Sequence, residues 1–477
     1  MERWNIARNH VKFYNNVAVT ATYNVPRILL QQFGSRGIEG LVYAALKENL
    51  SRQPILGVTI DDEGSTVPRW RRLSSIDLRE IVNVVSADPN ASADGWVQNS
   101  HRTLFPTTGE LPLWRVVVAF QESALTEEGS HVSFAMGFFA HHAIADGLSC
   151  AAFHLTFLDA LNSLVESPSA GPSDLNEVAM VNVPNLPLIP TLEMKAKLSI
   201  SILFVLLEFI KAFIYNPIDS LNWSGPPVNA DHPRPPIAST RSFSLTPAMV
   251  SKLIAKCRAE KTTITSLVTV LTARKLALMY PDHKSFTGTV PFSLRKFTGH
   301  SPKDMGVFVT NVTQTFSSEA NPSTKHMSGA PSPKGKLPAA VADDEKLWDS
   351  ARAFKRHLDE NTASTHNQHV NMLKFVSDYG SYFLGLLGTK RAHAFEVTNI
   401  GIVDGGVGGE EGKATFDRVM FSAGGCAYGE PYVVFLATAR NGYMNAAIGW
   451  QSVVVSDEEA KDLLGYLERE MRGLVEQ

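Results

Sequence analysis

Two adjacent histidines, His141 and His142, followed by Asp146 and Gly147, are the residues whose types and spacing could do chemistry. They close the apolar run Phe138-Phe139-Ala140, so a strand delivers the imidazoles to its end, where a rigid scaffold can hold one against a cleft. An imidazole titrates near neutrality and can take a proton from a hydroxyl or an amine at cellular pH. His142 is the candidate for that base. Its bland alternative is a core histidine bonded to backbone, and His141 reads as structural support beside it. Ligand type also allows a metal site from His141, His142 and Asp146. However, successive side chains on a strand point to opposite faces, which separates the two rings.

These residues need a scaffold, and the surrounding pattern supplies one. Residues 114–120 read as a strand, 122–130 as a polar turn, and 132–138 as a strand alternating large with mostly small residues. The pair forms a hairpin that ends at the histidines. After Gly147, Leu148, Ala151, Ala152, Leu155, Leu158 and Val165 recur at three and four, so a helix follows at once. Residues 16–23 are β-rich, and 25–50 look helical around a break at Gly34 and Gly37.

From Ser167-Pro168 to about 237 the chain is rich in Pro, Asn and Ser, which marks a crossover. The predicted organisation is a first lobe over 1–175, a crossover carrying a hydrophobic helix over 176–240, and a second lobe over 241–477. Within the latter, 317–342 read as a disordered insertion. Thr246-Pro247 caps a helix, and 262–278 form another. Strands are expected at 286–291, 307–316, 396–403 and 416–422, the last two joined by a glycine loop at 405–409. Residues 432–451 form a hairpin about Asn441-Gly442, for which a type I′ turn is expected. Ser456-Asp457-Glu458-Glu459 is a capping box opening the last helix. The fold class is α/β, with two lobes that each carry a mixed sheet and flanking helices.

A chain of 477 residues exceeds one ordinary core, which agrees with two lobes. A net charge of −3 with no basic stripe gives no nucleic-acid footprint. Cys150, Cys257 and Cys426 leave one thiol over and lack a Cys-x-x-Cys spacing, which fits a reducing, cytoplasmic location. The run 198–215 is interrupted by Glu208 and Lys211 and falls short of the roughly 20 apolar residues a membrane span needs. Two readings remain for it: a helix covering a groove, or one lying on the surface of an internal membrane.

His141-His142-Ala143-Ile144-Ala145-Asp146-Gly147 resembles the His-His-x-x-x-Asp-Gly signature of CoA-dependent acyltransferases, which include chloramphenicol acetyltransferase, the plant BAHD enzymes and peptide-synthetase condensation domains. Leu113-Trp114-Arg115-Val116, Thr289 to Arg295 with Gly306, and Thr398-Asn399-Ile400-Gly401 lie in the expected order. The opening from Arg8-Asn9-His10 to Tyr23, with Trp223-Ser224-Gly225, is most similar to the fungal alcohol acetyltransferase branch. The Asp-Phe-Gly-Trp-Gly block of the plant enzymes is absent, and residues 416–422 occupy its approximate place.

The resemblance implies a monomer that moves an acyl group, acetyl foremost, from acyl-CoA to a hydroxyl of a small hydrophobic molecule. His142 would be general base, with no metal and no permanently bound cofactor. It pairs Asp146 with Arg295 as support for the turn, gives Gly147 a tight passage into the helix, and leaves Asn399 and Ser422 as candidate donors to the oxyanion or substrate. Two alternatives accompany it: a condensation-like enzyme forming an amide or catalysing a non-transfer reaction, and a non-catalytic binding homologue.

Overall fold

The computed structural model describes every residue except 34–36, 106–108, 124–128, 167–178, 214–220, 232–234, 319–344, 407–411 and 477. The insertion expected at 317–342 therefore lies almost wholly outside the described residues, as do most of the glycine loop and the end of the hydrophobic run. Eleven strands build two large sheets: β1 Val17–Pro26, β2 Val82–Ser86, β3 Trp114–Phe120, β4 His131–Ala140, β5 Ala238–Leu245, β6 Ser285–Ser293, β7 Val309–Ser317, β8 Phe395–Val403, β9 Thr415–Ala423, β10 Tyr432–Ala439 and β11 Met444–Gln451. The helices that matter below are α1 Glu2–His10, α2 Gly37–Arg52, α3 Asp94–Arg102, α4 Gly147–Glu166, α5 Ile202–Phe213, α6 Pro247–Ala259, α7 Ile264–Met279, α8 Glu345–Asn361 and α9 Asp457–Glu476.

The first sheet runs β9-β1-β4-β3-β2 and the second β5-β11-β10-β8-β6-β7, with the short strand Asn222–Trp223 beside the start of β6. Pairing is mixed in both. In the first sheet β1, β4 and β9 pair antiparallel while β2 and β3 are parallel; in the second β8 runs parallel to β6 and β10. The architecture is two-lobed and mixed α/β. Each sheet has its own core: Phe138 stacks on Phe153 of α4 at 3.8 Å in the first, and Tyr432, Trp348 and Leu467 are buried in the second.

One strand crosses the boundary drawn from sequence. β9 belongs by position to the 241–477 lobe, yet it pairs with β1 over Val17 to Asn24 and forms an edge of the first sheet. Phe416, Val419 and Phe421 are buried in the first core. The two strands flanking the glycine loop thus lie in different sheets.

Helix starts follow their local signals. Thr246 Oγ1 accepts from Met249 N at 3.4 Å at the head of α6, with Pro247 at its first position. Ser456 and Glu459 exchange both capping-box bonds at the head of α9, at 2.9 and 3.2 Å. The β10–β11 hairpin forms, but its turn is not type I′, which needs positive φ at both central residues. Asn441 has φ 58° while Gly442 is not left-handed. Gly442 is needed for space instead, because a Cβ there would come 2.1 Å from the Asp417 carbonyl oxygen.

Candidate active site

β4 ends at Ala140 and α4 begins at Gly147, so His141 to Asp146 form a short turn pinned at both ends. At its far end Asp146 caps the helix, accepting from Ser149 N at 2.8 Å and from Ser149 Oγ at 2.9 Å. The same carboxylate takes Arg295 Nη1 at 2.9 Å and Phe308 N at 3.0 Å, both from the second half of the chain. Arg295 Nη2 reaches Ser149 Oγ at 2.7 Å, and Asp146 N donates to the Gly306 carbonyl at 3.2 Å. Burial alone would push the Asp146 carboxyl up; Arg295 and the backbone donors outweigh it and hold the group below the usual carboxylate range. This network ties the turn to the other lobe.

Gly147 is required by that apposition. A Cβ would sit 2.7 Å from Phe421 Cζ and 2.8 Å from Ile400 Cγ2, so α4 starts in direct contact with β9 and β8. The close approach of β9 and β8, rather than the turn's dihedral angles, excludes a side chain here.

His142 lines a cavity of about 370 Å³ between the two sheets. Val17, Phe421 and Ala423 face it from the first sheet; Pro291, Thr398, Val433 and Phe435 face it from the second. Nδ1 of His142 is buried without a hydrogen-bond partner, and the ring packs on Tyr14 with centroids 5.5 Å apart. Tyr14 in turn carries the Arg8 guanidinium at 4.0 Å from its ring centroid. Burial, and then the positive charge of Arg8, lower the His142 pKa to about 4, against smaller opposing effects of its own backbone and Asp146. The ring is therefore neutral at cellular pH and able to accept a proton.

His141 points elsewhere. It is buried, its Nδ1 accepts from Ala143 N at 3.0 Å, and burial with the His142 and Arg8 charges lowers its pKa to about 3.

The two donor candidates are both turned away from this cavity. Ser422 Oγ is bonded to His101 Nε2 at 2.9 Å on the opposite face of β9. Asn399 donates to Thr265 Oγ1 at 3.1 Å on α7 and accepts from Gly401 N at 2.8 Å. Strand parity explains both. Phe421 and Ala423 face the cavity from β9, as do Glu396 and Thr398 from β8, so 422 and 399 fall on the other faces.

Arg8, Tyr14, Glu396 and Glu430 also line the cavity. Arg8 comes from α1 and donates to Asn5 Oδ1 at 2.7 Å, and among the described residues no carboxylate lies within ion-pair distance of it. Glu430 pairs with His393 Nδ1 at 2.9 Å. The available sequence signal is Phe395-Glu396-Val397, a carboxylate between two apolar strand residues.

A turn-borne histidine facing a cavity between two mixed sheets is the arrangement that the acyltransferase signature leads one to expect. Residues 88–471 match the model of the alcohol acetyltransferase family, and the chain belongs to that family. It is 26% identical to a probable alcohol acetyltransferase, crmB, of Aspergillus fumigatus, over 99% of this chain and 97% of the relative. It is 24% identical to a probable alcohol acetyltransferase, FCK4, of Fusarium pseudograminearum, over 98% and 93%.

Among solved structures, the fold matches the trichothecene 15-O-acetyltransferase TRI3 of Fusarium sporotrichioides at a TM-score of 0.66, 12% identity, and 99% and 94% coverage of the two chains. It also matches the first condensation domain of the calcium-dependent antibiotic synthetase at 0.56, 13% identity, and 98% and 92% coverage. At such identities these structures speak for the fold alone.

Proposed function

We propose that the protein transfers an acetyl group from acetyl-CoA to a hydroxyl of a small molecule with a largely apolar body. His142 accepts the hydroxyl proton as the oxygen attacks the thioester carbonyl carbon. The tetrahedral intermediate collapses with cleavage of the C–S bond, and the imidazolium returns its proton to the departing thiolate of CoA. Asp146 and Arg295 position the turn, and neither touches the reacting atoms. The observation that carries this reading is the His142 ring lining the interlobe cavity at the end of its turn, with a buried Nδ1 that has no hydrogen-bond partner. Family membership supports the acyl-transfer class. The test is release of free CoA thiol from acetyl-CoA in the presence of a panel of alcohols, beside the same panel with a carrier-bound acyl thioester. Acceptor-dependent thiol release from acetyl-CoA is the expected result; transfer only from the carrier would replace it with condensation chemistry.

The same proposal places the protein in the cytoplasm as a monomer, with α5 resting on a membrane surface. Ile202, Leu203 and Leu206 on α5 are 88%, 65% and 52% exposed, an apolar face uncovered among the described residues.

A further inference from the structure

The cavity that holds His142 has a second polar end that transfer to a plain alcohol would leave idle. Glu396 lies on β8 between Phe395 and Val397, both buried in the second core, so strand alternation turns its side chain into the cavity. Among the described residues its carboxyl has no hydrogen bond or ion pair, and its oxygens are not sealed within protein. Asp146, a buried carboxyl that serves structure, is met by four donors, whereas Glu396 opens on the cavity. Glu396 has none, although Glu430 nearby is taken up by His393 at 2.9 Å. Burial and the neighbouring Glu430 charge raise its pKa well above the ordinary value, against the opposing pull of Arg8. A carboxyl opening on the cavity offers two acceptor oxygens when ionised, and an O–H donor beside an acceptor oxygen when protonated.

Resting on the reading of His142 as base, we infer that Glu396 is the specificity residue of an acceptor subsite, binding a second polar group, hydroxyl or amine, on the molecule whose first hydroxyl is acylated. His142 reaches the cavity from the turn after β4 and Glu396 reaches it from β8, so one small molecule spanning the cavity meets both. The acceptor class is a diol, polyol or amino alcohol with an apolar body, rather than a monofunctional alcohol. A hydroxyl, both donor and acceptor, matches the carboxyl in either protonation state. An amine would bind as the ammonium against the ionised carboxylate, with the proton passing from Glu396 to nitrogen.

The test is calorimetric binding of straight-chain alcohols, the α,ω-diols of matching length and the corresponding amino alcohols, without acyl donor. It uses the wild-type protein, Glu396→Gln and Glu396→Leu, with near-ultraviolet circular dichroism as the folding control. The wild type is expected to prefer bifunctional ligands by about tenfold or more, the value of one hydrogen bond to a buried polar group. Glu396→Leu loses that preference, and Glu396→Gln keeps it for diols while losing it for amino alcohols. A wild type without preference, or a preference that survives in Glu396→Leu, overturns the inference. Because no donor is present, the binding result stands apart from catalysis. Failure of acetyl-CoA to acylate any of these ligands would count against the acyl-transfer reading alone.

Discussion

Arg295→Met should be the most informative lesion outside the cavity. The substitution keeps the volume of the stem and deletes a guanidinium bonded to Asp146 at 2.9 and 3.1 Å and to Ser149 at 2.7 Å. Removing one partner of a buried pair costs about 3–5 kcal/mol, because the remaining charge is left in low dielectric. Asp146 retains Ser149 N, Ser149 Oγ and Phe308 N, which places the expected loss near the lower end, about 3 kcal/mol. At about 2–4 °C per kcal/mol for lobes of this size, the melting temperature should drop on the order of 6–12 °C. Turnover should fall as well, since the carboxylate anchors the turn that presents His142, and a displacement of about 1 Å can cost 10²-fold.

The assay is a double-mutant cycle with Asp146→Asn, read by denaturant unfolding and by kcat. If the pair works as described, the double variant loses less than the sum of the singles, with a coupling above about 1 kcal/mol. Additivity within about 0.5 kcal/mol would refute the reasoning and leave the ion pair a bystander.

Three further outcomes follow from the same structure. Acid should destabilise the protein early: His101, His141, His142 and His154 have pKa values lowered from 6.5 to between about 3 and 4, all with burial as the main cause. Below pH 6.5 the unfolded chain binds protons that these buried rings refuse, so stability is lost progressively down to the folded values. The loss is about 2 kcal/mol per histidine near pH 5, and an unfolding midpoint unchanged between about pH 7 and pH 5 would contradict it. Gly147→Ala should cost about 1–3 kcal/mol through its clash with Phe421 and Ile400, measured by denaturant unfolding, and a neutral result would mean the lobes are not apposed there. Flotation with phospholipid vesicles should carry the wild type and not Leu203→Glu/Leu206→Glu; equal flotation of both would remove α5 from membrane docking.

How much of this was legible beforehand follows from how locally each feature is encoded. The strand, turn and helix around His142 rest on period-two and period-3.6 patterns within forty-odd residues of the motif, and β3, β4 and α4 appear where those patterns put them. Helix caps at Thr246 and Ser456 depend on neighbours three residues away and are equally readable.

Lobe membership of β9 is not local. Nothing between Thr415 and Ala423 says which sheet edge it will join, and only its tertiary pairing with β1 decides. Asn399 and Ser422 were chosen by residue type at about the right place in the chain. Their strand parity, which sends both away from the cavity, can be assigned only once the facing sheet is known. Arg8, Tyr14, Glu396 and Glu430 converge from α1, the segment after it, β8 and the loop before β10. No sequence spacing brings such groups together.

The measurement that bears most directly on the mechanism is steady-state acetyl transfer by His142→Ala, paired with the pH profile of kcat/KM for the wild type. Loss of a positioned general base should lower kcat by about 10²–10⁴-fold while acetyl-CoA still binds. The wild-type profile should show no acid limb at the ordinary imidazole value, and should hold its plateau below pH 6.5 for as long as circular dichroism shows the protein still folded. A variant within a few-fold of wild type, or an acid limb at the ordinary imidazole value, would contradict the account.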